Sequence, residues 1–210
     1  MSDHMLGRMT CPVSTSSLDM DSCNIAQRFS VEQGVKQDGS LKVRPCDDMT
    51  GSGINGCTQP CEKLRNDSAN ALVVCIRLLA SLSKSAPVLW KADMDAAYRR
   101  IPIRPGDRWA AWVAFCVGDK MWSACHLSIM FGASSSVHAW NRIGALLCHL
   151  GGSLLRLPLL RYVDDFFAPD LPACARRSML CFARVVRAIM ECTSISDRKL
   201  DFGNPLVVLD

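Results

Sequence analysis

Apolar residues in 69–83, "ANALVVCIRLLASLS", recur at Leu72, Cys75, Ile76 and Leu79. That spacing predicts a helix with one apolar stripe, and 66–68 offers side chains able to cap its start. Pro87 ends it, and "VLWKAD" at 88–93 shortens the pattern to the apolar run of a buried strand. "MDAAYRR" then turns into a short helix. Two apolar stretches on either side of Gly118-Asp119, in "WAAWVAFCVGDKMWSACHL", predict a hairpin. "GASSSVHAWNRIGALLCHL" returns to the helical period, with Val137, Trp140, Ile143, Gly144 and Leu147 on one stripe. "LLRYVDDFFAP" reads as strand, turn and strand, 172–191 as a helix, and "LVVL" at 206–209 as a final strand. Residues 36–68 are rich in turn formers and predict a short strand or hairpin with long loops. Residues 1–35 show weak periodicity and read as poorly ordered. Strands and helices mix without a regular strand–helix–strand alternation, so the class is α+β.

Composition narrows this only slightly. Half the chain is apolar (49%) and 21% is charged, enough to bury a core. The net charge of +4 permits nucleic-acid binding without arguing for it. Twelve scattered cysteines form no CxxC pair, and Cys75, Cys148 and Cys181 lie in apolar segments, as buried free thiols do in a reducing compartment. The most membrane-like stretch, 144–160, contains His149, Arg156 and Pro158 and is shorter than the roughly 20 apolar residues of a span. An intracellular chain without a membrane segment is therefore expected.

"RYVDDFFAPD" places Asp164 and Asp165 side by side between apolar runs. They are either a solvated turn, where Asp is favoured, or half of a divalent-metal site, since a hard cation relieves the repulsion of two close carboxylates. A metal site needs a further carboxylate from another strand. Asp93 stands at the end of the predicted strand 88–93, and Asp95 follows two positions later.

Asp93 with Tyr98, then "FGASSS" (131–136), then "YVDD" (162–165), resembles the palm of reverse transcriptases of retroelements, in the order of that family's three central motifs. "KVRPCDD" (42–48) resembles the fingers segment that holds the incoming triphosphate, and "KLDFGNPLVVLD" (199–210) the segment that closes the palm. The resemblance covers 36–210, and its wording is nearer to retrotransposon polymerases than to viral ones. It implies a palm-like antiparallel sheet packed on helices, with 1–35 peripheral, 36–87 partial fingers and 88–210 the palm. No thumb follows, so other parts of a polyprotein are expected to complete it.

The resemblance implies RNA-directed DNA synthesis on a primer–template from deoxynucleoside triphosphates, with Mg²⁺, or Mn²⁺ in its place. Asp93, Asp164 and Asp165 would be catalytic in a two-metal mechanism, holding the ions together with the backbone carbonyl of Met94, with Asp93 and Asp164 the leading pair of ligands. Tyr98 would pack beneath the sugar and exclude a 2′-hydroxyl; taken alone it also fits a core aromatic. Lys42 and Arg44 would neutralise phosphates, or line a solvated strand edge. Gly132 would let backbone approach the nucleotide, and Lys199 would stand near the pyrophosphate. Arg99, Arg100, Arg104 and Arg108 form a basic cluster, either solvated or set against a nucleic-acid backbone. Two other classes stay open: an inactive polymerase-like remnant that binds nucleic acid or protein, and an unrelated metal-dependent phosphoryl-transfer enzyme or nuclease.

Overall fold

A computed structural model describes residues 3–35 and 39–203. In chain order the strands are β1 (Val13–Ser14), β2 (Ile25–Val35), β3 (Leu41–Asp47), β4 (Val88–Asp93), β5 (Trp112–Val117), β6 (Lys120–Cys125), β7 (Leu160–Tyr162), β8 (Asp165–Asp170) and β9 (Leu200–Gly203). The helices are α1 (Ala69–Ser83), α2 (Ser134–Leu155) and α3 (Ala175–Met190). The class is α+β. The chain divides into two compact units, one of Met1–Glu62 with Tyr98–His138, the other of Lys63–Ala97 with Ala139–Asp210.

The first unit is built on a five-stranded sheet in the order β1-β6-β5-β2-β3. The hairpin expected at Gly118-Asp119 joins β5 to β6, and Gly118 takes the left-handed φ of +59° that such a turn requires. β2 runs parallel to β5, setting Ala26 beside Val113. Both side chains are buried, with Met9, Met49, Ala124 and Met130. Residues 1–35, expected to be poorly ordered, thus contribute β1, β2 and part of this core. β2 also pairs antiparallel with β3, which follows it closely, but its parallel partner β5 lies far along the chain, so local periodicity carries no sign of that second pairing.

The second unit holds an antiparallel sheet in the order β7-β8-β4-β9. Alternation along β4 buries Trp90 and Ala92 on one face and leaves Lys91 and Asp93 on the other. Trp90 and Phe166 meet Phe182 of α3, with ring centroids 5.8 and 5.2 Å apart. Met179, Phe182, Ala183 and Val186 give α3 its buried stripe. α1 occupies the range read from its pattern. Ser68 caps it by accepting from the Ala71 amide, and Leu72, Cys75, Ile76 and Leu79 form its half-buried side. Within α2, Trp140, Gly144 and Leu147 are buried as expected, but Val137 is exposed. Cys125 is buried, whereas Cys75, Cys148 and Cys181 are only half-buried. The strand expected at 206–209 lies outside the described residues. Among those described, no helix is long and apolar enough to cross a membrane.

Candidate active site

The second unit gathers the acids. β4 and β8 are adjacent and antiparallel, and Asp93 is registered directly opposite Asp165. Opposed residues share a sheet face, so both carboxylates stand on the face away from Trp90 and Phe166. Val163 and Asp164 form the two-residue turn between β7 and β8. The Asp164 carbonyl accepts from the Met94 amide at 3.2 Å, which fastens this turn to the end of β4. Burial is the main reason that the Asp165 carboxyl is pushed up to about 6, and the charges of Asp164 and Asp93 push it the same way. Burial and the carboxylates outweigh the positive charge of Lys91 and Lys199 beside them.

Lys199 supplies part of that charge. It stands just before β9, which pairs with β4, and its Nζ lies 2.7 Å from Asp93 Oδ2 and 3.2 Å from Asp95 Oδ1. It also donates to the Met94 carbonyl at 3.5 Å. Burial works against the charged amine, but the bonds to Asp93 and Asp95 outweigh it and Lys199 remains firmly cationic. Asp95 also makes a backbone contact. Its Oδ2 accepts from the Ser196 amide at 3.0 Å, which fixes the segment that carries Lys199.

The turn bearing the acids is strained. Val163 has φ +53°, a left-handed value at which a β-branched residue costs about 1–3 kcal/mol. Two donors hold its carbonyl: Trp140 Nε1 at 2.9 Å and Arg161 Nη1 at 3.3 Å. Arg161 is buried and also donates to Asn141 Oδ1 at 2.7 Å and the Arg65 carbonyl at 3.1 Å. Gly144 makes room for it, since a Cβ there would lie 2.7 Å from Arg161 Cδ.

The remaining expected site residues belong to the first unit. Lys42 and Arg44 are exposed on β3. Tyr98 is buried and packs on Phe131, with ring centroids 5.1 Å apart at 50°. Gly132 has φ +91°, and a Cβ there would meet the Asp47 carbonyl oxygen at 2.5 Å. Asn55 clasps the same loop: its Nδ2 donates to the Gly132 carbonyl at 2.9 Å, and its Oδ1 accepts from the Ser134 amide at 2.8 Å. Gly132→Ala should cost about 1–3 kcal/mol in chemical denaturation, from the strained φ and the displaced strand end. A change below about 0.5 kcal/mol would mean that the loop relaxes freely.

Arg99 departs from the expected basic cluster. It is buried, donating to His126 Nδ1 at 2.6 Å and to Asp3 Oδ2 at 3.1 Å, so it is not available to a nucleic-acid backbone. His126 Nε2 in turn lies 2.9 Å from Asp47 Oδ2, and Arg28 Nε lies 2.6 Å from Asp47 Oδ1. Arg28, Asp47, His126 and Asn55 were not singled out in the sequence, where each is an ordinary polar residue far from its partners.

No family model matches the sequence, and no curated protein matches it. Solved structures do. A selenomethionine-labelled mutant of prototype foamy virus protease–reverse transcriptase matches over 96% of this chain, with a TM-score of 0.61 and 18% identity. The native form of that viral protein matches over 94%, with a TM-score of 0.57 and 18% identity. The fold is reverse transcriptase-like. The chain spans less than a quarter of those viral chains, 23% and 22% of their lengths. At such identity the likeness is one of fold. Within this reverse transcriptase-like fold, the local arrangement of Asp93, Asp165 and Lys199 has to carry any chemical argument.

Proposed function

We propose that this chain is the catalytic core of an RNA-directed DNA polymerase, joining deoxynucleotides to a primer on an RNA template. The observation that carries this is the direct opposition of Asp93 and Asp165, beside the Asp164 turn, in a reverse transcriptase-like fold. In the reaction the primer 3′-hydroxyl oxygen bonds to the α-phosphorus of the incoming triphosphate, and pyrophosphate leaves with the electrons of the broken P–O bond.

The donor set suits Mg²⁺ or Mn²⁺. Among the described residues, no three His, Cys, Asp or Glu side chains are gathered into a ready-made cage. Two opposed carboxylates, a nearby third and the Met94 carbonyl are hard oxygen donors, and Mg²⁺ is commonly held by one or two carboxylates with water and substrate phosphate completing its shell. When bound, the ion supplies charge that favours the ionised primer hydroxyl and the departing pyrophosphate. The strained Val163 turn and its Trp140 and Arg161 bonds keep Asp164 and Asp165 at the tip of the β7–β8 hairpin, beside the end of β4. By the resemblance, Lys42 and Arg44 take triphosphate oxygens, Tyr98 selects the deoxyribose, Gly132 admits the nucleotide and Lys199 serves the pyrophosphate side.

The test is primer extension by the purified chain on an RNA template, with Mg²⁺ or Mn²⁺, beside an Asp164→Ala, Asp165→Ala double variant. Extension by the parent and none by the variant is expected. A folded parent that adds no nucleotide with either ion would overturn the proposal.

A further inference from the structure

Lys199 holds the oxygens that the proposed metal ion would need. Its Nζ is 2.7 Å from Asp93 Oδ2 and 3.5 Å from the Met94 carbonyl, both donors assigned above to the ion. Asp95 Oδ1 at 3.2 Å is a second anchor, and Asp95 Oδ2 holds the Ser196 amide, so the lysine is delivered by a braced segment. The 3₁₀ turn Asp197–Lys199 and β9 then tie it to β4, with Leu200 opposite Ala92.

An ammonium this close to Asp93 cannot share that oxygen with a divalent cation. Oxygen-to-Mg²⁺ distances are about 2.0–2.1 Å, which would leave the two positive centres a few ångströms apart. Like charges at that separation repel, and a divalent ion carries twice the charge of the ammonium. We propose that Lys199 is a tethered counter-ion: it neutralises Asp93 when no divalent ion is bound, and ion binding displaces it in a one-for-one exchange of cations. This rests on the metal-site reading above and adds a cost to it, because the chain's affinity for the ion is set by a competition within the chain. Asp95 gives the displaced lysine an acceptor outside the ion's coordination sphere, so release from Asp93 need not strand its charge.

The test measures Mn²⁺ binding by calorimetry and by electron paramagnetic resonance, without nucleotide, on the parent and on Lys199→Met, Lys199→Arg, Lys91→Met and Asp93→Asn. Lys91 lies on β4 near Asp165, so Lys91→Met makes the same charge change without vacating Asp93. Lys199→Met should bind Mn²⁺ about tenfold or more tightly than the parent, Lys91→Met less than about threefold, and Lys199→Arg close to the parent. The rise in thermal midpoint on adding Mn²⁺ should also be larger for Lys199→Met than for the parent, which a merely structural ion pair would not produce. Equal or weaker binding by a folded Lys199→Met, with Asp93→Asn still abolishing binding, would overturn the exchange while leaving the metal site intact. Asp93-independent binding in every variant would overturn both.

Discussion

Asp93→Asn and Asp165→Asn are each expected to lower the rate of primer extension about a thousandfold. A carboxylate that helps to place a catalytic cation contributes several kcal/mol to the transition state, and about 1.4 kcal/mol corresponds to each factor of ten. Asparagine keeps the shape, so the loss should come without unfolding. Stability should separate the two variants. Burial first, and then the charges of Asp164 and Asp93, hold the Asp165 carboxyl at about 6, above its ordinary 3.8. Between those values the folded chain binds more protons than the unfolded chain, so its stability falls as the pH rises from 3.8 towards 6. In chelator-containing buffer at pH 7, Asp165→Asn should therefore melt higher than the parent, and that advantage should vanish near pH 4. Asp93→Asn should show no such gain, because it breaks the 2.7 Å bond to Lys199. Thermal melts at the two pH values, beside single-nucleotide extension assays, decide the matter. An Asp165→Asn variant that melts like the parent at both would mean that the carboxylates are well hydrated and do not strain the fold.

The acids were legible because they interrupt apolar runs. Carboxylates beside "VLWKA" and "FFA" are costly to desolvate without a compensating role. The limits of α1 and β4 were legible for local reasons: the Ser68 cap, an unbroken apolar stripe and Pro87. Other features depend on pairing, which no local pattern encodes. The sequence singles out Asp93 and Asp164 as the leading pair, yet strand register sets Asp165 opposite Asp93 and leaves Asp164 in the turn. Lys199 reaches Asp93 only because β9 returns antiparallel to β4. The left-handed Val163 violates its own backbone preference, held by Trp140 and Arg161, so propensity points away from it. β2 was missed because its own residues show little periodicity and its parallel partner β5 lies far along the chain, as His126 does from Asp47.

Removing the Asp47 carboxylate should cost the first unit about 3–5 kcal/mol, the usual penalty for orphaning partners of a buried charge. Its side chain is 5% exposed and accepts from Arg28 Nε at 2.6 Å, Arg28 Nη2 at 3.0 Å and His126 Nε2 at 2.9 Å. The ring's protonation follows from its neighbours. Arg99 Nη1 can only donate, so His126 Nδ1 must accept, and the single ring hydrogen lies on Nε2 facing Asp47. Arg28 Nη2 stands 3.1 Å from that same nitrogen because both donate to Asp47 Oδ2. Burial is the main cause that lowers the His126 pKa below its ordinary 6.5; the Asp47 bond opposes it, Arg99 and Arg28 reinforce it, and the lowering prevails. Burial alone would raise the Asp47 carboxyl, but the bonds from His126 and Arg28 hold it at about 2. Both shifts have the same sign for stability. The His126 contribution is complete above pH 6.5 and declines as the pH falls below it, and the Asp47 contribution declines from 3.8 towards about 2. Urea unfolding from pH 3 to 8, followed by tryptophan fluorescence, should show both declines in the parent. Asp47→Ala should lose the lower one and unfold at markedly less urea throughout. A loss under about 1 kcal/mol at pH 7 would mean that water replaces the carboxylate readily. The expected loss would reach beyond stability, since Asp47 ends the strand that presents Lys42 and Arg44 and supplies the carbonyl against which Gly132 rests.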